Sequence, residues 1–114
     1  EAINSIKNYD FALSVTQFPY PVQRALSLNK KYNTVEMIDK NNFIKRSQDL
    51  PSRYHDAGQF VVGKSMRWMS ENPMLSGKTI PIFIPPIRVQ DIDNQDDWDC
   101  AELKFSLLEG KKRL

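Results

Sequence analysis

Two aspartates, Asp91 and Asp93, stand on either side of Ile92 and are the side chains in this sequence best suited to a metal ion. If residues 89–93 are extended, both carboxylates point to the same side, because strand side chains alternate with a period of two. Paired carboxylate oxygens at a strand end suit a hard divalent cation such as Mg²⁺. The alternative is that the acids of this stretch only cap and solvate a helix start. The pattern alone leaves both interpretations open.

A helix is predicted to begin directly after these aspartates. Asn94 is a favourable N-cap, because its side chain can accept a hydrogen bond from a free backbone N–H of the first turn. Asp97 lies three residues on, where a carboxylate can reach back to the cap. Four apolar residues then recur at helical spacing and predict one packed face: Trp98, Ala101, Phe105 and Leu108. Cys100 falls near this face, so a packed thiol is expected rather than a nucleophile.

Basic side chains gather in the preceding part of the chain, at Arg24, Arg46, Arg53 and the single histidine, His55. Arginine binds carboxylates with two parallel hydrogen bonds, so an anionic ligand is one interpretation. Surface arginines are common, and an isolated histidine is more often a hydrogen-bonded structural residue than a catalyst. Residue types alone therefore do not decide between a binding site and a solvated surface.

Strands and helices are predicted to alternate along most of the chain, which is typical of an α/β layer structure with some parallel strands. Residues 20–56 break the alternation as a β-rich excursion that contains a hairpin within residues 23–40. Pro81 places the last strand near a sheet edge, and Ser65 is a candidate helix cap. The predicted elements are a helix end at 1–8, strands at 11–18, 58–63 (short and buried) and 79–84, and helices at 66–72 and after 94.

Length and composition limit the possible classes of protein. A chain of 114 residues is one domain or part of one, and 40% hydrophobic with 26% charged residues is ordinary for a globular chain. A net charge of +2 gives no argument for a nucleic acid or an acidic membrane as partner. No apolar run approaches a membrane span, and a cytoplasmic protein is the default expectation. One cysteine excludes an internal disulfide.

Four segments together resemble the sialic-acid-type cytidylyltransferases, the CMP-sugar synthetases, and most of all their pseudaminic acid branch. The resemblance runs over essentially the whole chain, with the segments in family order. They are F-P-Y-P-V-Q-R-A-L at 18–26, R-S-Q-D-L-P at 46–51, Y-H-D-A-G-Q-F at 54–60 and D-I-D-x-x-x-D-W-x-x-A-E at 91–102.

This resemblance implies a Rossmann-like α/β nucleotidyltransferase fold and transfer of a cytidylyl group from CTP to a nine-carbon acidic sugar, a nonulosonic acid. The anomeric hydroxyl would attack the α-phosphate and release pyrophosphate. By the same analogy Asp91 and Asp93 would hold Mg²⁺, with Asp93 the direct ligand. A divalent metal can neutralise phosphate charge and orient the attacking and leaving oxygens.

In the resembling family the excursion is a dimerisation arm that packs on the partner and contributes basic residues to the partner's sugar pocket. Arg46 falls where the family has such an arginine. Gln23 and Arg24 fall where a sialic acid synthetase would carry a lysine. Three further residues resemble a substrate-lining segment: His55, Asp56 and Gln59. Gln59 would bond sugar hydroxyls or an N-acyl group, or else satisfy backbone groups beside the strand.

The glycine-rich, basic CTP-binding loop of this family has no counterpart among the four isolated glycines. The first residue is also Glu rather than Met. The expectation is therefore the C-terminal half of such an enzyme, inactive alone, which supplies the metal aspartates, sugar-facing residues and dimer arm. The alternatives are a cytidylyltransferase for N-acetylneuraminic or legionaminic acid, or a non-catalytic fragment that keeps only the dimer surface.

Overall fold

The computed structural model describes residues 1–71, 74–75 and 78–112. The chain divides into a first unit, Glu1–Thr16 with His55–Leu114, and a second unit, Gln17–Tyr54. Within the described ranges no helix is long and apolar enough to cross a bilayer. The helices and strands, in chain order, are α1 (Ala2–Ser5), β1 (Phe11–Gln17), β2 (Leu26–Asn29), β3 (Thr34–Met37), β4 (Tyr54–Gly63), α2 (Ser65–Trp68), β5 (Thr79–Phe83) and α3 (Gln95–Lys112).

The first unit is built on a sheet in which β1 lies between β4 and β5. β1 and β5 run parallel, with Phe11 opposite Thr79 and Val15 opposite Phe83. The other pair is antiparallel, since Lys64 N–H donates to the carbonyl of Asp10 at 3.0 Å while Phe60 lies beside Ser14, further along β1. A sheet with one parallel and one antiparallel strand pair, together with the helices, makes this a mixed α/β structure, as the alternation predicted.

The core centres on β1, which is buried on both faces from Phe11 to Thr16. Its first residue, Phe11, packs edge-on against the Trp68 ring of α2, with 4.9 Å between the ring centroids. Gly63 lies in this contact. A Cβ built on Gly63 would come within 2.6 Å of Phe11 Cε1 and 2.7 Å of Trp68 Nε1. Glycine is therefore required because two aromatic rings approach the backbone too closely for any side chain.

Ser14 fixes how β4 meets β1. Its side chain is fully buried, its hydroxyl donates to the Phe60 carbonyl at 3.0 Å, and it accepts from the backbone N–H of Phe60 at 3.1 Å and of Gln59 at 3.4 Å. In β4, two residues before Phe60, Gly58 has φ +69°, and its N–H donates to Asp56 Oδ1 at 2.8 Å. The hydroxyl thus serves backbone groups where β4 bulges away from regular pairing.

The second unit contains the predicted hairpin. β2 and β3 pair antiparallel, with Leu26 opposite Met37 and Leu28 opposite Val35. Asn29 begins the turn and accepts two backbone hydrogen bonds through Oδ1. Because side chains alternate across a strand, these two apolar pairs share one face of the hairpin. We call this set (Leu26, Leu28, Val35 and Met37) the hairpin face. The exposed fractions of Leu26, Leu28 and Val35 are 58%, 57% and 63%.

Asn42 lies in the 3₁₀ turn that follows the hairpin and is bonded to the segment that precedes the hairpin. It is buried, and its Nδ2 donates to the Gln23 carbonyl at 3.1 Å and to Asp39 Oδ2 at 2.9 Å. The N–H of Ile38 donates to the carbonyl of Ala25 at 3.1 Å, which extends the hairpin pairing by one residue pair beyond Leu26 and Met37. A buried amide with satisfied donors gives this small unit a fixed internal geometry.

Several sequence predictions need correction. The strand predicted at 58–63 as short and buried is instead the ten-residue β4, and Phe60 and Val61 remain largely exposed. Ser65 is not a cap: the cap position of α2 belongs to Lys64, without a side-chain hydrogen bond. The described helix ends at Trp68 rather than at 72, a position that lies outside the described residues.

The packed face predicted for α3 is also wrong, since no residue of this helix is buried. Trp98 and Phe105 are more than half exposed, and Cys100 is exposed rather than packed. The spacing of apolar residues predicts which side of a helix could be covered. It does not reveal whether other residues of this chain pack against that side.

We predict that Gly63→Ala lowers the free energy of unfolding of the protein by about 1–3 kcal/mol, because the new methyl group overpacks the Phe11–Trp68 contact. Thermal or denaturant unfolding measures this change. Gly110→Ala is the matched control, since a Cβ there meets no atom within 4 Å. That control should be neutral or stabilising by up to about 1 kcal/mol, because alanine favours a helix. Equal behaviour of the two variants would contradict the packing role.

Candidate functional site

The two aspartates lie in an irregular segment, residues 89–94, which we call the acidic loop. It follows a short 3₁₀ turn at Pro86–Arg88 and belongs to no strand. Val89 is extended and 8% exposed, so its side chain anchors the start of the loop in the core. The condition for the two carboxylates to share one direction, an extended strand over residues 89–93, is therefore not met. Strand alternation does not set the directions of Asp91 and Asp93.

The end of the acidic loop is held by the start of α3. Asp97 Oδ2 accepts hydrogen bonds from the backbone N–H groups of Asp93 at 3.0 Å and Asn94 at 3.3 Å. In return Asn94 Oδ1 accepts from the Asp97 N–H at 2.9 Å. This reciprocal arrangement is a capping box, and it satisfies backbone donors that a helix start leaves free. The predicted roles of Asn94 and Asp97 are confirmed.

The beginning of the acidic loop is held by two side chains from different elements. Gln59, in β4, donates from Nε2 to the carbonyl of Arg88 at 2.7 Å. Lys104, in α3, donates from Nζ to the carbonyl of Val89 at 2.6 Å. The sequence left two roles open for Gln59, binding of the sugar or satisfaction of a backbone group, and the observed hydrogen bond is of the second kind. Both contacts border a groove of about 280 Å³ between residues 57–59, residues 87–90 and the α3 face that carries Phe105.

Lys104 is a residue that sequence reasoning missed. A signal for it exists, because it interrupts the apolar positions of α3 between Ala101 and Leu108. A long cationic side chain on such a face can cover apolar surface with its stem and place its ammonium group on a polar partner. The partner is a carbonyl in a distant segment of the chain, and local periodicity carries no information about it.

The carboxylates of Asp91 and Asp93 are exposed, and neither makes a hydrogen bond or ion pair with a residue in the ranges that the structure describes. Among their acidic neighbours, Asp97 is used by the cap and Asp99 accepts from Gln95 Nε2 at 2.8 Å, whereas the Asp96 side chain also makes no hydrogen bond with a described residue. Among residues 1–71, 74–75 and 78–112 no three His, Cys, Asp or Glu side chains lie close enough together to hold a metal ion. Mg²⁺ is commonly held by one or two carboxylates plus water and substrate phosphates, so these two side chains fit it.

His55 and Asp56 are occupied by local contacts at the start of β4. His55 Nδ1 lies 2.8 Å from the carbonyl oxygen of Asp56. The carboxylate of Asp56 accepts from the N–H of Gly58 and so supports the bulge. In their described contacts these two side chains shape β4 itself.

The remaining candidates lie in the second unit. Gln23 Nε2 donates to the Pro51 carbonyl at 2.7 Å, and Arg24 Nη1 donates to Ser47 Oγ at 3.4 Å. Within the part of the chain that the structure describes, Gln23 Oε1 and Arg24 Nε are buried without a hydrogen-bond partner. Arg46 is exposed and forms an ion pair with Asp49 at 2.9 Å. Gln23 also lines a pocket of about 140 Å³ together with Tyr20, Leu50 and Arg53.

Curated proteins match most of the chain. Two are named pseudaminic acid cytidylyltransferase, from two strains of Campylobacter jejuni, and each is 37% identical over 97 residues, which is 85% of this chain and 41% of the relative. A Helicobacter pylori protein named pseudaminic acid cytidylyltransferase and UDP-2,4-diacetamido-2,4,6-trideoxy-beta-L-altropyranose hydrolase is 34% identical over 92 residues, 81% of this chain and 17% of its own length. The chain therefore spans about two fifths of the Campylobacter relatives. No protein-family model matches it.

We predict that Asp97→Ala destabilises the protein by about 1 kcal/mol, because it removes the acceptor for two backbone N–H groups of the cap. Asp96→Ala is the matched control, since it removes the same charge from the same helical turn but no hydrogen bond within the described residues. Unfolding by urea measures both. A loss of stability as large in Asp96→Ala as in Asp97→Ala would assign the effect to the helix dipole instead.

Proposed function

We propose that this chain is part of a cytidylyltransferase that transfers a cytidylyl group from CTP to a nonulosonic acid, with pseudaminic acid as the favoured acceptor. The similarity to proteins of that name, at 37% identity over 85% of the chain, carries the proposal. The free carboxylates beside the capped start of α3 support it, because nucleotidyl transfer needs groups that can hold a metal close to phosphates.

In the proposed reaction the anomeric hydroxyl oxygen of the sugar attacks the α-phosphorus of CTP and loses its proton. The bond from the α-phosphorus to the oxygen that bridges it to the β-phosphate breaks, and pyrophosphate leaves. The products are the CMP-sugar and pyrophosphate. A bound Mg²⁺ would supply charge neutralisation and orientation of the attacking and leaving oxygens.

We assign Asp91 and Asp93 to the Mg²⁺ site, with Asp93 as the favoured direct ligand. The support is that both carboxylates are exposed and unpaired among the described residues, while the backbone around Asp93 is fixed by Asp97. The neighbouring acids Asp97 and Asp99 are already hydrogen-bonded and are poorer candidates.

We assign binding of the sugar acid to six residues: Gln23, Arg24, Arg46, His55, Asp56 and Gln59. Gln23 and Arg24 have the strongest support, because each carries a buried polar atom that no described residue satisfies. Such atoms carry a desolvation cost that a bound polar ligand can offset. The guanidinium of Arg24 suits the acceptor's carboxylate. Gln59 donates to a backbone carbonyl through Nε2, so only its Oε1 remains as an acceptor for substrate.

We also propose that the complete protein is a homodimer that packs through the excursion. A two-stranded hairpin is marginal in water by itself and needs a covered apolar face. The hairpin face is more than half exposed at Leu26, Leu28 and Val35 in the chain alone. A second copy of the same surface would cover it with matching chemistry, as a two-fold interface requires.

The first experiment measures pyrophosphate release by the complete protein with CTP, Mg²⁺ and a panel of nonulosonic acids. We expect release with pseudaminic acid, and Asp93→Ala should lower kcat by more than about a hundredfold, because even indirect partners of metal ligands contribute ten- to a hundredfold. Asp96→Ala is the control of equal charge and should retain activity.

Each result of that experiment has a distinct meaning. Release with N-acetylneuraminic or legionaminic acid instead would keep the chemistry and change the acceptor. An unchanged kcat of Asp93→Ala at saturating Mg²⁺ would overturn the metal assignment. A folded complete protein that releases no pyrophosphate with any acid would favour a non-catalytic role for the dimer surface.

For the dimer we predict that Leu28→Lys weakens self-association of the complete protein by about tenfold or more, because a leucine buried at an interface contributes roughly 1.5–3 kcal/mol. Ser27→Lys is the control, since Ser27 lies on the opposite face of β2, across from Glu36. Sedimentation equilibrium gives both dissociation constants. A monomeric parent protein, or equal dimerisation of the two variants, would refute the proposed interface.

A further inference from the structure

Two successive carbonyl groups, those of Arg88 and Val89, each accept a side-chain hydrogen bond from a different element. Gln59 reaches the first from β4 at 2.7 Å, and Lys104 reaches the second from α3 at 2.6 Å. The second bond involves a charged donor, and such hydrogen bonds are shorter and roughly twice as strong as neutral ones. These contacts join the two elements that flank the start of the acidic loop.

The local chain explains why these carbonyls need outside donors. The 3₁₀ turn uses the N–H groups of Arg88 and Val89, which donate to Pro85 at 2.8 Å and Pro86 at 3.1 Å. The carbonyls at the end of such a turn have no partner within it. Since Val89 is also largely buried, its carbonyl requires a donor from elsewhere in the protein.

The acidic loop is consequently held at both ends. Gln59 and Lys104 hold its start, and the carboxylate of Asp97 holds the backbone N–H groups at its end. Between these points the side chains of Asp91 and Asp93 make no contact of their own with a described residue. Hydrogen bonds hold the backbone at both ends of the loop, while the two carboxylates stay available to a ligand.

We propose that Lys104 and Gln59 are positioning residues that set the affinity of the acidic loop for its divalent cation. This inference rests on the proposed function, since it requires Asp91 and Asp93 to be metal ligands. Residues that orient metal ligands from outside typically contribute ten- to a hundredfold to metal affinity. Lys104 acts through the Val89 carbonyl, and Gln59 acts through the carbonyl of Arg88.

The test uses Mn²⁺ as the probe and counts free Mn²⁺ by electron paramagnetic resonance, with the complete protein and CTP but no sugar acid. Lys104→Met keeps the stem and removes the donor, and we expect Mn²⁺ to bind about tenfold more weakly. The sign is informative, because removing a positive charge by itself favours binding of a cation. Lys104→Arg retains a charged donor and should restore most of the affinity.

Two further variants complete the comparison. Gln59→Leu changes no charge and should weaken Mn²⁺ binding in the same direction, and it carries the test if Lys104→Met fails to fold. Lys111→Met removes the same charge from the last turn of the same helix and should leave binding unchanged. Hydrogen exchange without metal should show faster exchange at the amides of residues 89–94 in Lys104→Met and in Gln59→Leu, but not in Lys111→Met.

The outcomes separate the two levels of the proposal. If Asp93→Ala eliminates Mn²⁺ binding but Lys104→Met and Gln59→Leu bind like the parent, the positioning role is overturned and the metal assignment stands. If Asp93→Ala leaves Mn²⁺ binding unchanged, the metal assignment fails and the positioning role fails with it. Weaker binding in Lys104→Met and Gln59→Leu, with Lys111→Met unaffected, supports both.

Discussion

The buried hydroxyl of Ser14 is the constraint on which the described site depends. It lies in the middle of β1 and satisfies three backbone groups of β4 at Gln59 and Phe60. A buried polar group is tolerated only with such partners. The hydroxyl accepts from the backbone N–H of Gln59, and the side chain of the same residue donates to the carbonyl of Arg88. Ser14 in the central strand is thus linked through Gln59 to the start of the acidic loop.

The acidic residues near the start of α3 divide into two kinds with different physical roles. The carboxylate of Asp97 accepts hydrogen bonds from backbone N–H groups and so stabilises the fold. Those of Asp91 and Asp93 have no such partner among the described residues, although all three lie close together in sequence. Composition counts these acids as equivalent, whereas hydrogen bonding separates structural carboxylates from available ones. Only the latter can give their lone pairs to a cation without a loss of stability.

Local rules were sufficient for part of this structure. The Asn94–Asp97 capping box and the hairpin follow from residue types at fixed short spacings, and the sequence predicted both. The alternation of elements predicted some parallel strands, but the pairing of β1 with β5 joins segments far apart in the chain. A shared direction of Asp91 and Asp93 depended on an extended conformation over residues 89–93, and these residues instead form an irregular loop after the 3₁₀ turn at Pro86–Arg88. The Lys104–Val89 contact joins residues from separate elements, and no local pattern encodes it.

The exposed apolar surface is where sequence reasoning and structure differ most, and the difference has a physical meaning. Trp98 and Phe105 on α3 stay more than half exposed, as do Leu28 and Val35 on the hairpin face. Apolar patches of this kind are normally covered in a soluble protein, because their exposure to water is unfavourable. The chain matches 41% of the length of its Campylobacter relatives. The apolar faces of α3 and of the hairpin stay exposed in the described residues, so the helical spacing located an apolar face of α3 but did not determine whether that face is buried.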